Sequence, residues 1–317
     1  MYRRQDNCHP LVSVIVPTYN RAEALRETLG SLLGQTYPHL EVIVVSYAGA
    51  DHTPPVVQSF QAERLRFFRL EENRGAPAGV RNYGMRQATG EYLAFCDDDD
   101  LWMPRKLEIQ LPYLESDPSL LAVASNMVYF PGIYRLGYPM LRHRRLGYDW
   151  QLRHYNHICN SSVVMRRAVV DHIGYQDVDP RRRAVEDFDY WLRILQYRDR
   201  SILVLRQPLV KYRTHPENIS LLEDSRRQVT MQDKIRRVLE QHLPADDPYL
   251  RQLQAERDRI VNRTFYKRHW YNHQLSLRAL LAADGLSWGS KLEFLVKKPL
   301  LIAFFVLMNW KNVRALA

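Results

Sequence analysis

Residues 92–100 read YLAFCDDDD, a short apolar run that ends in four consecutive aspartates, Asp97 to Asp100. The first hundred residues contain three similar apolar runs, which are Val12 to Val16, Val42 to Val45 and Leu65 to Leu70. Helical patterns separate these runs, and such alternation is typical of a parallel sheet with crossover helices. The sequence therefore predicts an α/β fold in which the aspartates follow a buried strand.

The helices and later strands can be placed from the same kind of pattern. Asn20 is a candidate N-cap with Glu23 three residues later, and leucines then recur at helical spacing at Leu25, Leu29, Leu32 and Leu33. Residues 157–166 and 201–213 resemble strands, and Phe188, Trp191, Leu192 and Leu195 mark the buried face of another helix.

Two segments in the C-terminal third differ in composition from the rest of the chain. Residues 224–242 and 247–283 are charged and almost free of glycine, which favours helices. We therefore expect a catalytic domain over residues 1–220 and a helical C-terminal region over residues 221–317.

Composition narrows the class of protein. The 317 residues carry a formal net charge of +10, which favours an anionic partner such as a phosphorylated substrate or a lipid surface. We expect no nucleic-acid partner, because no helix-turn-helix, zinc-finger or RNA-binding pattern accompanies the basic residues. The cysteines Cys8, Cys96 and Cys159 lack paired spacing, and the N-terminus lacks the apolar core of a signal peptide. These features predict a cytosolic enzyme.

The four aspartates are the most informative polar residues. Ligands of open α/β sheets bind at the carboxyl ends of strands, which is where this run is predicted to lie. Adjacent carboxylates repel each other unless a cation offsets them, and oxygen ligands suit Mg²⁺ or Mn²⁺. The alternative is a solvated acidic loop or helix start, since Asp also caps helices and Pro104 follows soon after.

A second acidic pair, Glu186 and Asp187, begins the helix that carries Trp191. If Asp187 faces the same pocket as Asp97, it could take a proton from an acceptor hydroxyl. The alternative is ordinary charge complementarity at a helix N-terminus.

These stretches together resemble the family-2 glycosyltransferases. In the family's order they are Ser13 to Arg21, Glu41 to Thr53, Asn73 to Gly75 with Arg81 and Asn82, Phe95 to Asp100, Glu186 with Asp187, and Tyr212 to His215. The resemblance covers about residues 11 to 220.

The resemblance implies a GT-A fold and inverting transfer from a nucleotide diphosphate sugar to a hydroxyl on a glycan or lipid-linked acceptor. It implies Asp187 as general base with Glu186 assisting, and a divalent metal, Mn²⁺ or Mg²⁺, at Asp97, Asp99 and His215. The implied nucleotide-sugar-binding residues are Pro17, Thr18, Tyr19, Asn20, Tyr47, Gly75, Arg81, Asn82, Asp97 and Asp98.

The sequence departs from the family at the end of the second strand. Ser46 and Tyr47 stand where two aspartates are usual, and tyrosine cannot accept hydrogen bonds as a carboxylate does. A uridine, guanosine or thymidine donor is therefore left open.

The sequence gives less information about the acceptor than about the donor. Trp102 and Trp191 are candidate sugar platforms, although tryptophans more often serve packing. The basic and aromatic stretch from Arg135 to Arg153 is typical either of an acceptor site for a phosphate-bearing glycan or of a surface loop.

The C-terminal tail contains Lys297, Lys298 and a short apolar run from Leu300 to Met308, closed by Trp310. The run is too short to span a bilayer, but it fits a helix in the membrane interface, at the cytoplasmic face of the inner membrane. A helix packed on the domain or in a homodimer is the alternative. Two rival functions remain open: a sugar-phosphate nucleotidyltransferase, and a non-catalytic glycan- or lipid-binding scaffold.

Overall fold

A computed structural model describes residues 9–47, 52–71, 77–131, 135–136, 142–154, 156–214 and 225–250. The chain divides into two compact units, Met1–Asn218 and Ile219–Ala317.

The first unit is built on a mixed sheet. Its strands are β1 (Val12–Thr18), β2 (Leu40–Tyr47), β3 (Leu65–Leu70), β4 (Tyr92–Phe95), β5 (Leu101–Trp102), β6 (Ala122–Phe130), β7 (Arg135–Leu136), β8 (Arg144–Leu146), β9 (Val164–Arg166) and β10 (Ile202–Arg213). The order is β3-β2-β1-β4-β9-β6-β10-β5, with β7 beside β6 and β8 beside β10. The first four strands are mutually parallel, which confirms the predicted parallel sheet.

Helices cover the sheet. They are α1 (Ala22–Leu33), α2 (Thr53–Ser59), α3 (Ala78–Gln87), α4 (Lys106–Ser116), α5 (Tyr148–His154), α6 (Val169–Ile173) and α7 (Glu186–Tyr197), with 3-10 turns at Asn160–Ser162 and Pro180–Arg182. The second unit contains α8 (Ser225–His242).

Strand β1 shows how the core forms on both faces of the sheet. Because side chains alternate along a strand, Val14 belongs to the cluster that includes Leu29 of α1, whereas Ile15 belongs to the cluster that includes Trp191 of α7. Gly84 of α3 lies so close to β1 that an added Cβ would come within 2.6 Å of a methyl carbon of Ile15. Helix α3 therefore packs tightly against the centre of the parallel half of the sheet.

Two predicted boundaries were wrong. Helix α1 begins at Ala22 with Arg21 as its N-cap residue, and Asn20 adopts a left-handed φ of 51° instead of capping the helix. The predicted strand over 157–166 is a strand only at Val164–Arg166. The preceding polar residues Asn160 to Ser162 form a 3-10 turn, because their side chains bond to neighbouring loops and strands.

In the second unit, α8 lies within the predicted helical stretch 224–242. No helix in the described part of the chain is long and apolar enough to cross a membrane. The run Leu300 to Met308 lies outside the described residues.

Candidate active site

The acidic run forms a tight turn after β4. The backbone N–H of Asp100 donates to the carbonyl of Asp97 at 3.2 Å, and the backbone N–H of Arg213 donates to Oδ1 of Asp100 at 2.9 Å. Asp100 is fully buried, and burial followed by the charges of Asp99 and Asp97 raises the pKa of its carboxyl. Asp97 is the most accessible of the four, with a side chain that is 30% exposed.

Arg21 forms ion pairs with the two central aspartates of the run, Asp98 and Asp99. Its Nη1 forms ion pairs with Oδ2 of Asp99 and, at 3.4 Å, with Oδ1 of Asp98. The backbone N–H of Tyr19 also donates to Asp98, at 3.3 Å. Burial and the neighbouring charge of Asp99 nevertheless raise the pKa of Asp98 to about 7. The ionised form of Asp98 therefore remains disfavoured, and an additional cation would stabilise it.

Arg81 of α3 joins the two acidic motifs. Its Nη2 donates to Oδ1 of Asp97 at 2.7 Å, and its Nη1 donates to Oε1 of Glu186 at 2.8 Å. The guanidinium is buried, which disfavours its charge, but Asp97 and Glu186 outweigh burial and raise its pKa above the usual range. The first acidic motif and the N-terminus of α7 are therefore brought to one place.

Asp187 lies beside this ion-pair network at the start of α7. Its Oδ1 accepts from the backbone N–H of Phe188 at 2.8 Å, and its Oδ2 accepts from the side-chain amide of Asn156 at 2.9 Å. Burial and the adjacent Glu186 raise the pKa of Asp187 to about 7. A carboxyl group with this pKa can exchange a proton near neutral pH.

The segment 156–162 supports both acids. Asn160 donates to Oδ1 of Asp97 at 3.3 Å, while Oγ of Ser161 accepts from the backbone N–H of Asp97 at 3.0 Å. The indole N–H of Trp102 in turn donates to the carbonyl of Ser161 at 2.8 Å. The sequence motifs do not point to Arg21, Asn156, Asn160 or Ser161 as site residues. The one available signal was the polar triplet 160–162 inside an otherwise apolar stretch.

An aromatic pair lies at the carboxyl ends of β1 and β2. The rings of Tyr19 and Tyr47 stack with centroids 4.4 Å apart and an interplanar angle of 6°. The parallel register pairs Thr18 with Ser46, so the next residue of each chain segment is brought alongside the other. Tyr19 is 44% exposed, whereas Tyr47 is half-buried, and burial raises the pKa of its phenol. Pro17 and Thr18 are the buried last residues of β1, and Asn20 is exposed.

Three predicted contact residues are engaged within the protein. Trp191 is fully buried and packs edge-on against Phe95, so the prediction that it offers a sugar-binding face is wrong. Trp102 is only 4% exposed, with Lys106 over its ring, and the same correction applies. Asn82 is buried, and its side-chain amide donates to the carbonyl of Gln176 and accepts from the N–H of the same residue, so both of its polar atoms are engaged within the protein.

The acid turn presents carboxylates of the kind that bind divalent cations. The side chains of Arg81 and Asn160 both donate to Oδ1 of Asp97, whose side chain is 30% exposed. Mg²⁺ and Mn²⁺ commonly take one or two carboxylates and complete their shell with substrate phosphates and water. Within the described ranges, no group of three or more His, Cys, Asp or Glu side chains is arranged to hold a metal. Gly75 and His215 lie outside the described residues.

The arrangement of the sheet and its helices is that of the GT-A fold. Two solved structures have this fold: S. aureus TarS, residues 1–349, and the mannosyltransferase PcManGT from Pyrobaculum calidifontis in complex with GDP-Man and Mn²⁺. TarS matches with a TM-score of 0.57 and 24% identity over 82% of this chain and 72% of that one. PcManGT matches with a TM-score of 0.58 and 22% identity over 96% and 84%.

The profile of glycosyl transferase family 2 matches residues 13–174, and the chain belongs to this family. The Escherichia coli UDP-Glc:alpha-D-GlcNAc-diphosphoundecaprenol beta-1,3-glucosyltransferase WfaP is 28% identical over 66% of this chain and 80% of its own length. A Bacillus subtilis protein named as a teichuronic acid biosynthesis glycosyltransferase, TuaG, is 43% identical over 34% of this chain. That match spans only 43% of the Bacillus protein. The sequence-based assignment to family 2 and to the GT-A fold is thus confirmed.

Proposed function

We propose that this glycosyltransferase moves a sugar from a nucleoside diphosphate sugar to an acceptor hydroxyl with inversion, using a divalent metal and Asp187 as general base. The observation that carries the proposal is the pair of ion contacts through which Arg81 joins Asp97 and Glu186. The leaving diphosphate would be held at Asp97, and the attacking hydroxyl would be received at Asp187. The leaving group and the attacking hydroxyl would then lie on either side of the buried guanidinium of Arg81.

Asp187 suits the deprotonating role for two reasons. Its pKa of about 7 lets the carboxylate be populated at neutral pH while it remains basic enough to accept a proton. Its side chain is partly exposed, unlike that of Glu186, which Arg81 and the backbone N–H of Ala184 both engage. Glu186 then acts by holding Arg81 and the helix start, and Asp187 takes the proton of the acceptor hydroxyl as its oxygen attacks the anomeric carbon.

The metal would be held by Asp97 and Asp99. When bound, it supplies Lewis-acid stabilisation of the negative charge that develops on the leaving diphosphate. Arg21 supports this arrangement, because its ion pairs with Asp98 and Asp99 keep the turn ordered. His215, from the closing motif, stays a predicted further ligand.

The donor nucleotide would lie at the carboxyl ends of β1 and β2, over Pro17, Thr18 and the stacked pair of Tyr19 and Tyr47. Related structures were determined with different donors, UDP-GlcNAc for TarS and GDP-Man for PcManGT. Tyr47 offers a ring face and a hydroxyl in place of a carboxylate, so recognition of the base would depend more on stacking than on a charged acceptor.

We infer a lipid-linked or glycan acceptor. The relative WfaP is named for an acceptor on diphosphoundecaprenol, which is a membrane lipid, and such an acceptor would bring the enzyme to the cytoplasmic face of the inner membrane. The tail from Lys291 to Ala317 would contact the membrane. The alternative role for this tail is to form a homodimer. Salt-sensitive co-sedimentation with anionic vesicles that is lost on removal of residues 291–317 would support membrane contact; a dimer in solution without vesicle binding would contradict it.

A donor-release assay tests the function as a whole. The purified chain is incubated with UDP-Glc, UDP-GlcNAc, dTDP-Glc or GDP-Man, with Mn²⁺ and a diphosphate-lipid acceptor, and the nucleotide product is identified. Release of a nucleoside diphosphate that depends on the acceptor supports the proposal. Consumption of a nucleoside triphosphate with release of pyrophosphate would instead indicate a nucleotidyltransferase, and binding without any turnover would indicate a scaffold.

A further inference from the structure

Asn156 makes two hydrogen bonds that fix the orientation of its amide. Its Oδ1 accepts from the backbone N–H of Ile158 at 3.0 Å, and its Nδ2 donates to Oδ2 of Asp187 at 2.9 Å. Exchanging the amide oxygen and nitrogen would set two acceptors against each other at Asp187 and two donors against each other at Ile158. The side chain can therefore face Asp187 only as a donor.

The second oxygen of Asp187 is also held. Its Oδ1 accepts from the N–H of Phe188 within the first turn of α7, which fixes the plane of the carboxylate. With one donor on each oxygen, the remaining lone pairs have fixed directions. The contact between Asn156 and Asp187 joins residues 31 positions apart, so it ties the start of α7 to the segment that also contacts Asp97 through Asn160.

We propose that Asn156 is a positioning residue for the general base: by donating to Oδ2, its amide favours the ionised form of the Asp187 carboxylate. This inference rests on the proposed role of Asp187. A donor to a carboxylate oxygen stabilises the anion relative to the neutral acid. Asn156 thus opposes the burial and the Glu186 charge that raise the pKa of Asp187.

The other charged groups around Asp187 come from three elements. Arg81 of α3 favours the anion, whereas Glu186 of α7 and Asp97 after β4 disfavour it. The thiol of Cys159 is also nearby, and burial raises its pKa well above its usual value, so it stays neutral at physiological pH. Among the described neighbours, Asn156 is the neutral side chain that donates to Asp187.

The test compares Asn156→Ala and Asn156→Asp with the wild-type chain. Loss of the donor should move the acidic limb of the kcat/KM profile to higher pH by about one unit, which is about a tenfold loss of rate on that limb. The rate should recover towards the wild-type value at high pH, and affinity for a nucleoside diphosphate should be unchanged. Asn156→Asp keeps the acceptor for Ile158 but faces Asp187 with a second carboxyl group, so its shift should be larger.

Asn126→Ala is the matched control. Asn126 is a buried asparagine that donates to the carbonyl of Arg206 and accepts from the backbone N–H of Met127. The Asn126→Ala substitution should lower stability without shifting the pH profile of kcat/KM. A pH-independent loss of rate in Asn156→Ala, as for a purely structural asparagine, would overturn the inference.

A ¹³C NMR titration of the Asp187 carboxyl carbon separates this inference from the proposed function. The resonance is assigned by its absence in Asp187→Asn. A higher carboxyl pKa in Asn156→Ala supports the positioning role even if turnover is assigned to another base. An unchanged carboxyl pKa contradicts that role even if Asp187→Asn is inactive.

Discussion

Nη1 of Arg81 lies 2.8 Å from Oε1 of Glu186, a residue 105 positions further along the chain. Both side chains are buried, and the second terminal nitrogen of Arg81 bonds to Asp97. This one guanidinium therefore neutralises an acid from each of the two motifs. Its position explains how carboxylates from distant parts of the sequence are tolerated at the same edge of the sheet.

Arg81→Met should lower the free energy of unfolding by about 3–5 kcal/mol, because it leaves Asp97 and Glu186 buried or half-buried without their cation. Urea unfolding at neutral pH measures the change. Arg105→Met removes an exposed arginine that precedes α4 and pairs with Glu108 in its first turn, and it should have little effect. Equal effects of the two substitutions would show that Arg81 has no special role in stability.

Asp187 should give the activity its pH dependence. Its pKa is raised to about 7, and a general base acts only when ionised, so kcat/KM should rise with pH and reach half its plateau near pH 7. Asp187→Asn should lower the chemical rate by roughly 10²–10⁴-fold while nucleoside diphosphate binding is retained. Asp171→Asn, at an exposed position on α6, is the control. Lost donor binding with surviving turnover would assign Asp187 a structural role.

The parallel half of the fold and its acidic motifs were predictable from the sequence, because apolar runs and polar strand ends follow local rules. The partners of these acids were not. Arg81, Arg21 and Asn156 reach their carboxylates only after distant elements pack, and no periodicity reports such contacts. Trp191 illustrates the converse: it was a candidate sugar platform, but helical geometry turns the indole into the core.

Metal binding should depend on Asp97 and Asp99. In the presence of a nucleoside diphosphate, Asp97→Ala and Asp99→Ala should each weaken Mn²⁺ binding by at least tenfold, because each removes one of the few protein ligands. Electron paramagnetic resonance of free Mn²⁺ measures this without any turnover. Asp117→Ala, which removes an aspartate paired with Arg145 outside the site, should leave binding unchanged. Unchanged binding in both site variants would contradict the metal assignment.

The stacked tyrosines should act as one unit in donor binding. Tyr19→Ala and Tyr47→Ala should each weaken binding of the preferred nucleoside diphosphate, and the double variant should be less harmful than the sum, because either change removes the stack. A coupling of about 0.5–1.5 kcal/mol is expected for such a ring pair. Calorimetry measures it, with Tyr197→Ala, an exposed tyrosine stacked on His172, as control. Additive effects would mean that the rings act independently.

Lys106 should make stability depend on pH in an unusual direction. Its side chain is fully buried at the start of α4, its Nζ lies 3.8 Å from the centroid of the Trp102 ring, and that nitrogen has no hydrogen-bond partner in the described part of the chain. Burial lowers the pKa of Lys106 from 10.5 to about 7. Between these two values the unfolded chain binds the extra proton, so stability should rise with pH from about 7 towards 10.5.

Lys106→Met keeps the length of the side chain and removes the buried charge. The variant should be more stable than the wild type below pH 7, where the folded protein carries the full cost of the buried ammonium. The advantage should shrink as pH rises towards 10.5, where lysine is neutral in both states. Urea unfolding at pH 6, 8 and 10 measures this difference. A variant that is less stable by the same amount at every pH would show that contact with Trp102 outweighs desolvation and that the ammonium stays charged in the core.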